Sequence, residues 1–474
     1  MNFEAIVGLE IHVEMKTKSK MFSSAPVTFG KTPNTMVVPF DMAFPGTLPT
    51  VNKQAVINAI RVCHALHMSI DNELWFDRKN YFYSDLPKGY QITQKARPIG
   101  RTGYVEIDLD GQKKRINFER LHIEEDACKQ VHYKDCTLLD YNRAGIPLAE
   151  IVSLPEIHNG KEAMLIVDKI RSIVSFLDVS SGKMEEGTLR CDVNVSIRPY
   201  GCKTFGTVVE IKNINTLTNI QRAIDYEIKR QEALLLSGQI VKKETRRYDE
   251  SKKQTVLMRN KTDDVDYKYF TEPNIPPIKL SDEFIKEAIA SSPELAESKY
   301  QRYLKLGLLE REAKQLTSDK DLCNYFDRLI ENKANAKLSA NWLLVDIQSV
   351  LNKNNVSIND FSISPSAISG LLILVEQGKI NNKQARELFS KMLITNKTAD
   401  ELIKEIDLNL ISNEADLIDI IKQVINDNPH LKTDYDNGKD KVVGYLVGQV
   451  MKRTNGKANP NVTHELVIKV LKEK

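Results

Sequence analysis

Val7-Gly8-Leu9-Glu10-Ile11-His12-Val13-Glu14 alternates strictly between apolar and polar side chains. That period of two predicts a strand with Leu9, Ile11 and Val13 on one face and Glu10, His12 and Glu14 on the other. The same alternation returns in Cys191, Val193, Val195 and Ile197, interleaved with Arg190, Asp192, Asn194, Ser196 and Arg198. Up to about Pro277 the chain continues in short alternating runs broken by Gly, Pro and Asn, with Asp110-Gly111 marking a tight hairpin. Two helical stretches interrupt them, Lys53 to His67 and Gly160 to Leu177, the second with Ala163, Ile166, Val167, Ile170, Ile173 and Val174 on one stripe. This half reads as α+β, with a mostly antiparallel sheet.

Beyond Ile278 the hydrophobic period lengthens to that of helices. Ser292-Pro293 and Ser364-Pro365 read as helix starts, and Gly378 as the stop after a helix ending at Glu376. A further helix is expected from about Lys383 to Met392, and a break near Ile394 to Asp400 divides the helical part. The chain has 474 residues, which at about 150 per domain suggests roughly three domains. The boundaries expected are 1–292 for the sheet-rich domain, 293–398 for a helical domain and 399–474 for a tail.

Composition excludes several classes. No run approaches the roughly 18 to 20 apolar residues of a membrane helix, and Glu4 with no basic flank argues against a targeting signal. A cytoplasmic protein without membrane contact is expected. Six cysteines contain no C-x-x-C pair, so they read as packed or incidental thiols rather than zinc or redox ligands. A net charge of +3 from 67 basic and 64 acidic residues does not by itself mark a nucleic-acid binder.

The polar faces are where chemistry could lie. Glu10 and His12 pair a carboxylate with an imidazole, both ligands for a divalent ion, although a solvated strand face has the same look. Leu121-His122-Ile123-Glu124-Glu125-Asp126 stacks three acids beside a histidine, either a charged turn or a group held together by a cation. Arg190, Asp192 and Asn194 share one face in a mixture suited to phosphate and metal together. Glu210 and Lys212 repeat that logic on another strand, and the segment holding Lys79, Tyr81, Lys88 and Tyr90 reads as a pocket or interface lining. Two stretches with G-x4-G spacing lack the phosphate-binding lysine, and no nucleophile elbow is present. Residues 439–474 hold eight Lys or Arg against three acids, a setting for RNA phosphates or simply a solvated helical face.

Seven blocks, in order, resemble the B subunits of the tRNA-dependent amidotransferases. They begin Val7-Gly8-Leu9-Glu10, Asp77-Arg78-Lys79-Asn80, Leu121-His122-Ile123-Glu124, Met184-Glu185-Glu186-Gly187, Glu210-Ile211-Lys212-Asn213, Glu244-Thr245-Arg246-Arg247 and Leu446-Val447-Gly448-Gln449. The resemblance spans essentially the whole chain. It implies a cradle domain for kinase and transamidase chemistry, a helical domain and a tRNA-binding tail. The implied activity is ATP-dependent phosphorylation of the side-chain carboxylate of Glu-tRNA(Gln) or Asp-tRNA(Asn), followed by amidation with ammonia. Glutamine hydrolysed in a partner A subunit would supply the ammonia, a small C subunit would complete the heterotrimer, and Mg²⁺ with ATP would be the cofactors.

Carried over motif by motif, Glu10, His12, Glu124, Glu125, Asp192 and Glu210 are implied metal ligands. Arg190, Lys212 and Asn194 are implied phosphate or ATP contacts. Lys79, Lys88 and Glu125 belong to the ammonia route and, with Glu10 and His12, to the catalytic set. Lys452, Arg453 and Lys457 are the implied tRNA contacts. The alternative is a tRNA-binding scaffold without chemistry. The sequence departs from its relatives in three places. Phe22-Ser23-Ser24-Ala25 and Val38-Pro39-Phe40-Asp41 stand where many have zinc-type Cys pairs, Lys268 replaces an arginine, and Ser84 replaces a proline. No structural zinc is expected.

Overall fold

The computed structural model describes residues 2–260, 266–406, 414–436, 441–454, 458 and 460–472. They divide into two compact units, 1–295 and 296–474.

In the first unit the strands are β1 (Phe3–Glu14), β2 (Ser69–Ile70), β3 (Glu73–Leu74), β4 (Asp77–Asn80), β5 (Tyr90–Thr93), β6 (Gly100–Leu109), β7 (Gln112–Glu125) and β8 (Lys129–His132). They continue with β9 (Thr137–Asp140), β10 (Pro147–Ser153), β11 (Leu189–Pro199), β12 (Val209–Ile214), β13 (Glu244–Asp249), β14 (Gln254–Asn260), β15 (Phe270–Thr271) and β16 (Ile278–Lys279). Nine of them form one sheet in the order β14-β13-β12-β11-β1-β10-β7-β6-β2. All neighbours are antiparallel except β12 and β13, which run parallel. The first strand of the chain is therefore the middle of the sheet. That position explains its uncompromised alternation: Leu9, Ile11 and Val13 are at most 1% exposed, each stabilising the fold by roughly 1.5–3 kcal/mol.

The apolar face is covered by α2 (Gly160–Phe176) and α3 (Leu217–Leu236), which pack on each other and on β1, β6 and β11. Asn159 caps α2 by accepting from Glu162 N, and Thr216 caps α3 by accepting from Asn219 N. Gly160 stands where the two helices meet, since a Cβ there would strike the Gln221 carbonyl. The other helices of this unit are α1 (Lys53–Ala65), capped by Asn52, and α4 (Asp282–Ala290). At the β6 to β7 turn Asp110 and Gly111 both take positive φ, the geometry an Asp-Gly hairpin requires.

The second unit is helical among its described residues, confirming the α+β reading. It contains α5 (Ala296–Lys305), α6 (Glu310–Leu316), α7 (Lys320–Glu331), α8 (Ala336–Asn341), a π turn over Trp342–Ile347, and α9 (Gln348–Asn354). Then follow α10 (Pro365–Glu376), α11 (Asn382–Thr395), α12 (Ala399–Ile406), α13 (Glu414–Asn426), α14 (Pro429–Asp436), α15 (Lys441–Arg453) and α16 (Pro460–Lys472). Ser364 caps α10 with Pro365 in the first turn, as its sequence reads. Ser292-Pro293 does not start a helix: α5 begins at Ala296, and the Ser292 hydroxyl donates back to Ala288 O at 3.3 Å, finishing α4 instead. Tyr303 and Phe326 meet edge to face at 4.8 Å in this unit's core, and α12 packs on α10 and α11. A further apolar cluster, from Leu417 to Leu471, joins α13 to α16. Among the described residues no helix is long and apolar enough to cross a membrane. The cysteines are unpaired, with Cys63, Cys128, Cys191 and Cys323 buried and Cys136 exposed.

Candidate functional site

The sheet face away from α2 and α3 carries the polar side chains. Cross-strand register brings them together, because directly opposed residues point to the same side. His12 on β1 is opposite Glu150 on β10, which is opposite His122 on β7. His12 Nε2 lies 3.5 Å from Glu150 Oε2 and 3.7 Å from Glu124 Oε1. His122 Nε2 lies 3.1 Å from Glu150 and 3.5 Å from Glu124. One ligand atom each from His12, Glu124 and Glu150 falls within 4.8 Å of the others, close enough to converge on one cation.

Two positions along β1, about 7 Å away, a second cluster forms. Glu10 is opposite Asp192 on β11, and Asn194 on β11 is opposite Glu210 on β12. Glu10, Asp192 and Glu210 each offer an oxygen within 4.8 Å of the others. Asn194 Nδ2 donates to Glu10 Oε1 at 2.9 Å, fixing that carboxylate. Lys212 Nζ donates to Asp192 at 2.6 Å and lies 3.1 Å from Glu210. Thr245 on β13 donates to the remaining Glu210 oxygen at 2.9 Å.

Electrostatics follow from these distances. Burial opposes charge on both imidazoles, but Glu150 and Glu124 outweigh it, raising His12 and lifting His122 to about 9. Glu150, despite its burial, is held well below the usual carboxylate range by the two histidines. Burial, then the Glu150 charge, raises Glu10. Lys212 is raised: burial works against its charge, and Asp192 and Glu210 more than offset that. Each acidic cluster thus has a cationic counterpart within the protein. Both donor sets suit a divalent ion: three carboxylates favour a hard cation such as Mg²⁺ or Mn²⁺, and imidazole with two carboxylates accommodates Mn²⁺ and Mg²⁺ alike.

The other sequence candidates fall around these clusters or apart from them. Lys79 on β4 is raised by Glu124 and Glu150 against its own burial, and its ammonium stands 4.8 Å from the Tyr267 ring centroid. Glu125 is not brought to either cluster. Its neighbours Glu124 and Asp126 point elsewhere, while Glu125 accepts from Lys88 Nζ at 2.8 Å and Ile92 N at 3.0 Å. Lys88 therefore sits with Glu125 in a buried pair, beside the Phe40 ring. Arg190 donates to Asp126 at 2.9 Å, where Arg143 also donates at 2.6 Å, and its buried Nε has no hydrogen-bond partner among the described residues. In the second unit Lys452 and Arg453 end α15 exposed, with Arg453 paired to Asp427. Lys457 lies outside the described residues.

Sequence reasoning missed Glu150 as a member of the first cluster. The available signal was a lone acid inside the apolar run Pro147-Leu148-Ala149-Glu150-Ile151-Val152, since a carboxylate is expensive in a buried strand unless something pairs with it. It also passed over Lys20, which is fully buried with its ammonium 3.2 Å from Asp41 and 3.1 Å from Tyr141 O. Asp41 in turn accepts from Ser23 Oγ at 2.8 Å. The Ser23–Asp41 hydrogen bond joins segments 22–25 and 38–41, and Lys20 adds an ion pair to Asp41.

Comparison with known proteins agrees with this architecture. Residues 5–286 match the GatB/GatE catalytic domain and residues 324–471 match the GatB domain. The B subunit of the aspartyl/glutamyl-tRNA(Asn/Gln) amidotransferase of Mycoplasma capricolum is 46% identical over 475 residues, covering 100% of this chain and 99% of that protein. The corresponding B subunits of Geobacillus kaustophilus and Bacillus cereus strain AH187 are each 44% identical, covering at least 99% of both chains compared. With the catalytic-domain match spanning both clusters and identity this high along the full length, the chain belongs to the GatB family of amidotransferase B subunits.

Proposed function

We propose that this chain uses ATP to phosphorylate the side-chain carboxylate of Glu-tRNA(Gln) or Asp-tRNA(Asn) and then amidates it with ammonia, as the B subunit of a heterotrimeric ligase. The observation that carries the reading is the pair of donor clusters side by side on one sheet face, sharing β1. Phosphoryl transfer between two anions needs charge neutralised on both sides of the transferring group, and two adjacent cation sites meet that need. His12, Glu124 and Glu150 would hold one divalent ion; Glu10, Asp192 and Glu210 would hold the other. Bound there, Mg²⁺ would offset the charge on phosphate and carboxylate oxygens.

The chain's own groups do the remaining work. Asn194 keeps Glu10 oriented, and Thr245 does the same for Glu210. Lys79 extends a cationic group toward the side of Glu124, where an acyl phosphate would be stabilised as it forms. The substrate carboxylate oxygen attacks the γ-phosphorus and ADP leaves; ammonia then attacks the acyl carbon, and inorganic phosphate leaves in place of an oxide that could not. Glu125, kept beside Lys88, takes a proton from the incoming ammonium in this reading. Glutamine hydrolysis belongs to the partner A subunit, with a C subunit completing the complex, and the basic side chains Lys452 and Arg453 contribute phosphate contacts for tRNA.

The test is amidation of both mischarged tRNAs by the chain assembled with its A and C partners, using ammonium, ATP and Mg²⁺. Formation of Gln-tRNA or Asn-tRNA that requires ATP supports the reading. Absence of product from both substrates in an assembled complex overturns it and leaves tRNA binding alone.

A further inference from the structure

Of the block Glu244-Thr245-Arg246-Arg247-Tyr248-Asp249-Glu250 only Thr245 is absorbed by a cluster, and the two consecutive arginines have opposite fates. Residues 244, 246 and 248 face the helices. Arg246 donates to the Thr255 hydroxyl at 2.9 Å, to the Thr255 carbonyl at 2.9 Å and to Glu244 at 2.7 Å. It also lies 3.7 Å from Glu227, a fully buried carboxylate of α3 that Arg230, Gln231 and Thr255 saturate. The structural need for an arginine is met there.

Arg247 points the other way. In the parallel pairing of β12 and β13, Glu210 is opposite Thr245 and Lys212 is opposite Arg247, so all four share the site face. Adjacent strands are about 4.8 Å apart, which puts the Arg247 side chain next to that of Lys212. Their charges are used differently. Lys212 is bound to Asp192 and Glu210, whereas the Arg247 guanidinium, half exposed, meets only Asp249 at 3.8 Å among the described residues. Of the β11 arginines on this face, Arg198 is likewise taken by Glu4 and Arg190 by Asp126, the remaining Arg190 Nε being buried and so closed to a ligand. Arg259 on β14 is opposite Thr245 and exposed, adding positive charge on the same flank.

A polyphosphate seated on Glu10, Asp192 and Glu210 through a divalent ion brings more negative charge than that ion neutralises, and the excess calls for a donor not already spent. We infer that Arg247 receives the terminal phosphates of a nucleoside triphosphate at this cluster, its planar fork bonding two phosphate oxygens while Thr245, on the same strand, holds Glu210. This rests on the nucleotide reading above. It also places the nucleotide at the β12 to β13 side of the face, leaving the His12, Glu124 and Glu150 side for the acceptor carboxylate.

The experiment compares wild type, Arg247→Lys and Arg247→Gln in the assembled complex, measuring ATP and AMP binding directly with Mg²⁺ present, together with KM for ATP. Arg247→Gln should weaken ATP binding roughly ten- to a hundredfold, with Arg247→Lys intermediate and AMP affinity unchanged. An unaltered ATP affinity would overturn the inference. So would an equal loss for AMP, which would mark Arg247 as a support of the strand rather than a phosphate receptor. If wild type itself bound no ATP, the proposed function would fall first and this assignment with it.

Discussion

The two acidic clusters share a strand and a sheet face, yet they balance their charge by different chemistry. Around Glu150 and Glu124 the counter-charge is a pair of imidazoles, His12 and His122, both raised by these carboxylates and able to lose their charge as pH rises, His122 at about 9. Around Asp192 and Glu210 it is the Lys212 ammonium, raised further by its partners and charged throughout that range. A cation entering the first cluster competes with protons; one entering the second competes with a tethered amine. The difference teaches that similar carboxylate sets can be given separate responses to pH by the choice of one neighbour.

Breaking the first cluster should have the largest effect. Glu150→Gln removes the carboxylate that holds both imidazoles and should slow ATP-dependent amidation at least about a hundredfold, as loss of metal support costs several kcal/mol in such a transfer. Wild-type turnover in this variant would break the comparison at its root. Next comes pH. With chelator present, His122 has a folded value of about 9 against 6.5 unfolded, so its stabilisation is complete below pH 6.5 and is lost as pH rises through 9. That loss should be about 3–4 kcal/mol in denaturant unfolding, and His122→Gln should flatten the slope.

Smaller effects sharpen the second cluster. Lys212→Met should tighten direct Mn²⁺ binding about tenfold by removing the competing charge, while weakening ATP binding; a parallel loss of both would mean that the amine supports the cluster instead of competing for it. Thr245→Val, which keeps the β-branched shape, should weaken Mn²⁺ binding only a few-fold, the worth of one hydrogen bond to a carboxylate, with Thr245→Ser restoring it. Indifference to both changes would remove Thr245 from the site.

Much of this arrangement was legible in the chain. The alternation of β1 set Glu10 and His12 on one face, and that of β11 aligned Arg190, Asp192 and Asn194, because a half-buried strand cannot shift by one residue without turning its apolar side to water. What could not be read is which strands lie side by side. Glu150 entered the site through the register of β10 against β7 and, across more than a hundred residues of sequence, against β1. The acids 124–126 looked like one group, but the strand geometry sent Glu124 to the histidines, Glu125 to Lys88 and Asp126 to Arg143 and Arg190. The Ser292-Pro293 signal failed for a local reason: a serine hydroxyl can finish one helix as readily as it starts another.

The most direct test of two cation sites on one face is a Mn²⁺ titration of the full-length chain in its assembled complex, counting bound ions by electron paramagnetic resonance. The account predicts two ions per chain, falling to one in Glu150→Ala and to one in Asp192→Ala, with neither variant emptying the other site. A single ion in the wild type, or two ions retained by both variants, would contradict it.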